Sequence, residues 1–109
     1  MASGKFGSAA LAAGTLTQVY PGPSAGNVDI VNVNFCNTSG SATVIQLAVS
    51  ASTTAAGVAA ADWFVSGRTL PGNDEYERTG IAVSSGESIW AQAAQAGVSV
   101  RAHGIEQVS

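Results

Sequence analysis

Apolar and polar residues alternate with a period of two along most of the chain, and the longer period of an amphipathic helix is almost absent. In residues 28–37, VDIVNVNFCN, Val31, Val33 and Phe35 point to one face, and the residues between them point to the other. The same alternation recurs in residues 42–50, ATVIQLAVS. Each segment therefore predicts a β-strand with one buried face.

Turn-forming residues separate the predicted strands. The loop Thr38–Ser41 suits a hairpin that joins the predicted strands at 28–37 and 42–50. Residues 52–63 predict a long loop with room for a short helix, because their alanines favour a helical turn and their threonines and Gly57 weaken it. Further strands are predicted at Leu16–Tyr20, Trp63–Val65, Glu75–Thr79, Ile81–Val83, Ser88–Ala93 and Val98–Ile105.

This arrangement of about seven or eight short strands, joined by Gly, Ser, Asn and Pro turns, is typical of an antiparallel sandwich. We therefore predict an all-β chain with a single antiparallel β-sandwich, jelly-roll-like or Ig-like, over residues 15–109. Residues 1–14 are expected to form an extended N-terminal arm, since glycines interrupt the apolar run that a secretory signal would need. An open barrel is the alternative architecture.

The large aromatic residues are expected to supply much of the core, because they bury the most apolar area per residue. Trp63, Phe64 and Tyr76 fit this role. Trp90 differs, because the alternation that points Ile89 inward points Trp90 outward. An outward tryptophan predicts an interface anchor.

Composition narrows the classes of function. The chain has 109 residues, which fits one domain, and only 10% of them are charged. A surface with so little charge favours a protein that is partly covered by copies of itself or by a partner. Four basic residues against seven acidic ones, without a basic cluster, argue against nucleic acid as a partner. No window resembles a membrane-spanning helix, so no membrane partner is expected.

The residue types and their spacing give little support for a catalytic site or a metal site. His103 is the only histidine, and a pairing with Cys36, the only cysteine, would require a reactive thiol inside a Val- and Phe-rich strand. We expect Cys36 to be packed and inert, and His103 to be half-exposed or at an interface. The carboxylates of Asp74, Glu75 and Glu77 could be considered for calcium, but no Asp-x-Asp-x-Asp-Gly loop accompanies them. No catalytic residue, metal site or cofactor is predicted.

The charged segment 73–80, NDEYERTG, instead predicts an exposed edge strand. Charges on an edge discourage promiscuous strand pairing and can form specific salt links with a neighbour. Arg68 or Arg78 could meet an acidic group across a subunit boundary. The predicted assembly interface consists of Lys5, Phe6, Arg68, Glu75, Tyr76, Glu77, Arg78, Trp90 and Arg101.

Several segments in order resemble one family of proteins. They are an apolar strand ending in Asn37, then LPGNDEYERTGI at 70–81, SSGESI at 84–89 and AGVSVRAHGIE at 96–106. From about residue 16 to residue 106 the chain resembles short all-β virion proteins of tailed bacteriophages. Alanines at several strand positions and the alanine-rich loop at 55–61 depart from that pattern and affect the expected attachment surface.

The resemblance implies a non-enzymatic structural protein of the virion, assembled in the host cytoplasm and present in many copies. A capsid decoration, or cement, subunit is the leading interpretation, and a tail, collar or baseplate component is the alternative. The expected partners are copies of itself, as a trimer, and other virion proteins such as the major capsid protein.

Two further classes of function remain open at this point. A carbohydrate-binding module would use Trp63, Tyr76 and Trp90 as a stacking platform, with acidic residues accepting hydrogen bonds from hydroxyl groups. A small hydrolase would use Glu75 and Glu77 as its acid and base. The hydrolase requires a walled pocket around these carboxylates, which the neighbouring residues do not suggest.

Overall fold

The computed structural model describes residues 3–22, 26–51, 54, 57–58 and 62–108; for residues 3–6, 66 and 106–108 only the backbone is described. The elements of this part of the chain are eight β-strands. Their bounds are β1 Ser3–Ala10, β2 Thr17–Tyr20, β3 Asn27–Asn37, β4 Thr43–Ser50, β5 Trp63–Leu70, β6 Glu75–Ser84, β7 Ser88–Ala93 and β8 Val98–Val108.

The strands form two four-stranded antiparallel sheets. Sheet 1 has the order β1-β8-β3-β6, and sheet 2 has the order β2-β7-β4-β5. Every strand of the first half of the chain pairs with its counterpart counted from the other end, so that β1 pairs with β8, β2 with β7, β3 with β6 and β4 with β5. The predicted all-β class with two antiparallel sheets is confirmed.

The hydrophobic core lies between the two sheets and follows the predicted alternation. Val31, Val33 and Phe35 of β3 have no exposed surface, and Ile45 and Leu47 of β4 face them from sheet 2 in the same fully buried state. Burying one such side chain contributes about 1.5–3 kcal/mol. The period-two pattern therefore correctly identified the inner faces of both central strands.

The hairpin predicted between the strands at 28–37 and 42–50, now β3 and β4, is wrong. β3 belongs to sheet 1 and β4 to sheet 2, so residues 38–42 cross from one sheet to the other. Turn-forming residues permit a reversal of the chain, but they do not determine whether the flanking strands pair or pack face to face. Here each strand finds its hydrogen-bonded neighbours far along the chain, β3 in β6 and β8, and β4 in β5 and β7.

The two strands predicted on either side of Gly80 are one continuous strand, β6. A bulge keeps it continuous, because Thr79 and Gly80 together oppose the single residue Asn32 of β3. Gly80 has a φ of 71°, a conformation that glycine adopts without a side-chain clash, and its N–H donates to Asn32 Oδ1 at 3.1 Å. Because of the bulge, Glu75 and Glu77 before it lie on the outer face of the sheet, while Ile81 and Val83 after it lie on the inner face.

The segment predicted as an N-terminal arm is extended from residue 3 to residue 10, where it forms β1, the edge strand of sheet 1. Leu11 follows it into the core with only 4% exposure. A Cβ at Gly7 would meet the backbone carbonyl of Val19, so β1 and β2 approach each other closely on this side of the sandwich. These contacts make the segment part of the sandwich. The predicted loop at 52–63 lies largely outside the described residues.

Asn37, at the end of β3, ties together the loops at one end of the sandwich. It is 1% exposed, and its Nδ2 donates to the carbonyl oxygens of Ser41 at 2.8 Å and Pro71 at 3.1 Å. Its Oδ1 accepts from the backbone N–H of Ser39 at 3.0 Å and from the Ser39 hydroxyl at 2.8 Å. One buried amide therefore holds the connection between β3 and β4 against the start of the connection between β5 and β6.

Candidate assembly surfaces

The residues predicted to form one assembly interface lie in separate parts of the sandwich. Glu75, Glu77 and Arg101 lie on the outer face of sheet 1, since each pairs directly with an outward residue of β3 or β8. Three others, Arg68, Tyr76 and Arg78, lie where β5 and β6 form one side of the sandwich. Trp90 is on the outer face of sheet 2, and Lys5 and Phe6 are in β1, with side chains outside the described part.

On the outer face of sheet 1, Arg101, Asn34 and Glu77 form one row across three strands. Asn34 of β3 is directly paired with Arg101 of β8 on one side and with Glu77 of β6 on the other. Neighbouring strands lie about 4.8 Å apart, so the backbones of Arg101 and Glu77 are about 10 Å apart with Asn34 between them. This row could not be predicted from the sequence because it depends on two non-local registers.

His103 lies in the neighbouring row, also on β8. It pairs with Asn32, and its Nε2 lies 3.6 Å from Glu77 Oε2. The two side chains are 33% and 43% exposed, so solvent screens this contact and it contributes little to stability. Asn34, Glu77, Arg101 and His103 together line an open recess of about 420 Å³.

The charges on this face are separated by strand. The acidic residues Glu75 and Glu77 lie on β6, and the basic Arg101, with His103, lies on β8. β3 runs between them with uncharged Asn32, Asn34 and Cys36. The face is therefore negative on one side of β3 and positive on the other.

An apolar patch lies at the far end of the same face. Ile30 of β3 is paired with Ile105 of β8 and with Ala82 of β6. The two isoleucines are 37% and 53% exposed. This patch adds apolar surface beside the charged rows.

Where β5 and β6 run along one side of the sandwich, two arginine–aromatic contacts connect the sheets. The guanidinium carbon of Arg68 in β5 lies 4.2 Å from the ring centre of Tyr76 in β6. Arg78 of β6 lies 5.8 Å from the ring centre of Phe64 in β5. Cation–π contacts of this kind contribute about 0.5–1 kcal/mol at exposed sites. The predicted edge residues thus meet residues of their own chain in the isolated subunit.

All four edge strands carry β-bulges, whereas the two inner pairings do not. The register shifts once in β1, once in β2, once in β6 and twice in β5, and in each case the extra residue lies on the edge strand. β3 with β8 and β4 with β7 keep a continuous register. Bulges twist an edge away from regular geometry and hinder another strand from adding to it. The side-chain faces are therefore better suited to contacts with partners than the backbone edges.

Trp90 has the predicted outward direction but little exposed surface. It lies on the outer face of sheet 2, opposite Gln18 and Ala48 and outside the core cluster, as the alternation predicts. It is nevertheless only 5% exposed, so little of its surface is open to a partner. Its indole N–H has no hydrogen-bond partner within the described part of the chain. Ala48, on the same outer face, is also fully buried.

The other aromatic residues also differ from the sequence-based expectation. Phe64 is 43% exposed, and Tyr76 is half-buried at the rim of the core. The aromatic residues inside the core cluster are Phe35 and Tyr20. Phe64 occupies a bulge position in β5, which a local alternation pattern does not reveal.

The residues considered for chemistry do not come together. Cys36 pairs with Ser99, and His103 lies four residues further along β8, about 13 Å away. Cys36 is half-buried on the outer face and lines an open recess of about 490 Å³ with Asp74 and Glu75 among its neighbours. Among the described residues no group of three His, Cys, Asp or Glu side chains is placed to hold a metal ion.

Comparison of the chain with protein-family models, with curated proteins and with solved structures returns no match. Across the described ranges, no helix has the length and apolar character needed to cross a membrane.

Proposed function

We propose that this protein is a non-enzymatic structural subunit of a tailed-bacteriophage virion, and specifically a capsid decoration protein. It oligomerises and binds neighbouring capsid proteins, which restrains them relative to one another. The proposal begins with the resemblance of residues 16–106 to short all-β virion proteins. Its partners are copies of itself and the major capsid protein.

The observation that carries the proposal is the strand order. Sheets ordered β1-β8-β3-β6 and β2-β7-β4-β5 have the order of a jelly roll, in which a long folded-over hairpin wraps into two sheets. We therefore propose the jelly roll as the specific fold type. This architecture recurs in viral capsid proteins and in lectins, and the step from fold to function is an analogy at the level of the fold.

The distribution of polar groups supports a binding role over a catalytic one. Glu75, Glu77 and Arg101 stand on an open sheet face, and Arg68 and Arg78 are exposed at the side. Many copies on a particle can hold it together by weak contacts of this kind, because binding at several linked sites multiplies affinity. Since the edges are bulged, we place these contacts on side-chain faces and not on the backbone of the edge strands.

The test uses virions assembled without this chain. Purified protein is added, bound protein is measured by co-sedimentation, and particle survival is measured during heating. We expect saturable binding and a higher temperature of particle disruption. Virions that already carry the chain are the control, since their sites are occupied. Binding that does not saturate, or that is equal on both kinds of particle, would refute the decoration role.

The location of the bound protein separates the decoration role from its nearest alternative. Electron microscopy of the reconstituted particles should show the protein on the head. Density confined to the tail, collar or baseplate would assign it to that part of the particle instead.

The carbohydrate-binding alternative loses its predicted platform. Trp90 is buried on sheet 2, Tyr76 belongs to sheet 1, and Arg68 occupies one face of the Tyr76 ring. A sugar titration followed by tryptophan fluorescence tests this alternative directly, and we expect no change in emission.

A further inference from the structure

The outer face of sheet 1 has a charge pattern that is complementary to itself. We propose that this face packs against the same face of a second copy, about a two-fold axis that lies between the two faces, runs parallel to β3 and passes over Asn34. Self-association is part of the proposed function, and this inference rests on that function while specifying the surface and its symmetry.

The two-fold axis exchanges the positions of β8 and β6, because β3 lies between them in the sheet. Arg101 and Glu77 lie in the same row on opposite sides of Asn34. The rotation therefore places Arg101 of each copy over Glu77 of the other. Two reciprocal pairs of opposite charge result from one pair of residues, as expected for an isologous contact.

The neighbouring rows are compatible with the same contact. Glu75 lies one row beyond Asn34 on β6, beside Cys36, and His103 lies one row before it on β8, beside Asn32. Because the rotation keeps each row in place, Glu75 of each copy faces Ser99 of the other, and His103 faces the bulge at Thr79 and Gly80. Both acidic residues of the face thus meet the basic side of the partner, and no like charges in these rows are placed in opposition.

Asn34 itself suits a position on the axis. A primary amide carries both donors and an acceptor, so two Asn34 side chains related by the axis can hydrogen-bond to each other. Asn34 is half-buried in the isolated chain and points to the outer face. A charged residue at position 34 would instead face the same charge on the second copy and repel it.

The contact is small. Three rows across the three strands that overlap, β8, β3 and β6, cover about 300 Å² on each copy at ordinary strand spacings. The total is smaller than the area that stable protein contacts bury, so the pairing is weak in solution. On a particle, where copies are held close together, the same contact would be favoured by their high local concentration.

The experiment compares the mass of the full chain by sedimentation velocity at increasing protein concentration. We expect the wild-type unit to double in mass, whether that unit is a monomer or the predicted trimer. Arg101→Glu and Glu77→Arg should each weaken this doubling at least tenfold, because each places two pairs of like charges across the axis. Glu87→Arg, which makes the same charge change as Glu77→Arg in the turn between β6 and β7, should behave as wild type.

Mixing the two weakened variants gives the decisive result. The substituted position 101 of the first variant then faces the substituted position 77 of the second with opposite charge. The unchanged Glu77 of the first variant faces the unchanged Arg101 of the second, so the mixture should regain the doubled mass. A wild-type unit that does not double, or a mixture that remains undoubled while both variants keep the wild-type circular dichroism, would overturn the proposal. Binding to virions is measured separately, so a failure of the face pairing is distinguishable from a failure of the decoration role.

Discussion

Replacing Asn37 with alanine tests how strongly one buried amide holds the loop end of the sandwich. The substitution removes the hydrogen bonds that Nδ2 donates to the carbonyl oxygens of Ser41 and Pro71, a longer one of 3.4 Å to that of Leu70, and two that Oδ1 accepts from Ser39. Each hydrogen bond contributes about 0.5–1.5 kcal/mol net, and water can replace some of them at the exposed loop residues. We expect the free energy of unfolding to fall by about 3 kcal/mol.

For a domain of this size such a loss corresponds to a fall in melting temperature of about 10–15 °C. Urea denaturation followed by tryptophan fluorescence measures the change, and an unchanged slope against urea concentration confirms a two-state comparison. Asn34→Ala is the matched control, since Asn34 is the same residue type in the same strand but lies on the outer face. Its cost should stay within about 0.5 kcal/mol when measured at a concentration where the chain does not self-associate.

Asn37→Asp separates the role of the donor from that of the acceptor. The carboxylate keeps the acceptor for Ser39, but its second oxygen would face the carbonyl oxygens that Nδ2 now contacts. We expect this variant to be less stable than Asn37→Ala, because a buried charge would lack donors. The reasoning fails if Asn37→Ala costs no more than Asn34→Ala, or if Asn37→Asp is as stable as wild type.

Three further substitutions test other parts of the sandwich. Gly7→Ala should lower the unfolding free energy by about 1–3 kcal/mol, because the new Cβ would meet the carbonyl of β2, whereas Gly40→Ala, with nothing within 4 Å, should leave thermal melting unchanged. A double-mutant cycle with Arg68→Ala and Tyr76→Leu should give a coupling of about 0.5–1 kcal/mol in urea denaturation, and additive effects would exclude the stacking contact. Tyr20→Phe removes the hydrogen bond that the tyrosine hydroxyl donates to a buried carboxylate of β3, and a loss below 0.5 kcal/mol in thermal melts would contradict the expected cost of about 1.5–3 kcal/mol.

The inner faces of the strands could be predicted from the sequence because a half-buried strand repeats its environment every two residues. Val31, Val33 and Phe35 carry that signal without ambiguity. The partners of each strand could not be predicted in the same way, since pairing joins residues far apart along the chain. The expected hairpin after β3 was wrong for this reason.

Two polar residues that the structure buries also had a signal in the sequence. Asp29 and Asn37 occur in phase with the apolar residues of β3, at positions that point into the core, and both are buried. A polar residue in such a phase indicates a hydrogen-bonded role inside the protein. The burial of Trp90 had no comparable signal, because its outward phase is correct and other parts of the fold determine what covers it.

The pairing of each strand with its counterpart from the opposite end has a consequence for how the chain folds. Among the eight described strands, only β4 and β5 pair as consecutive strands, whereas β1 must meet β8, the last of them. Ribosomal synthesis must therefore reach the last strand before sheet 1 can form its β1–β8 and β3–β8 ladders. We expect folding to start near β4 and β5 and to proceed outward towards both termini, on the millisecond-to-second timescale of proteins dominated by distant contacts.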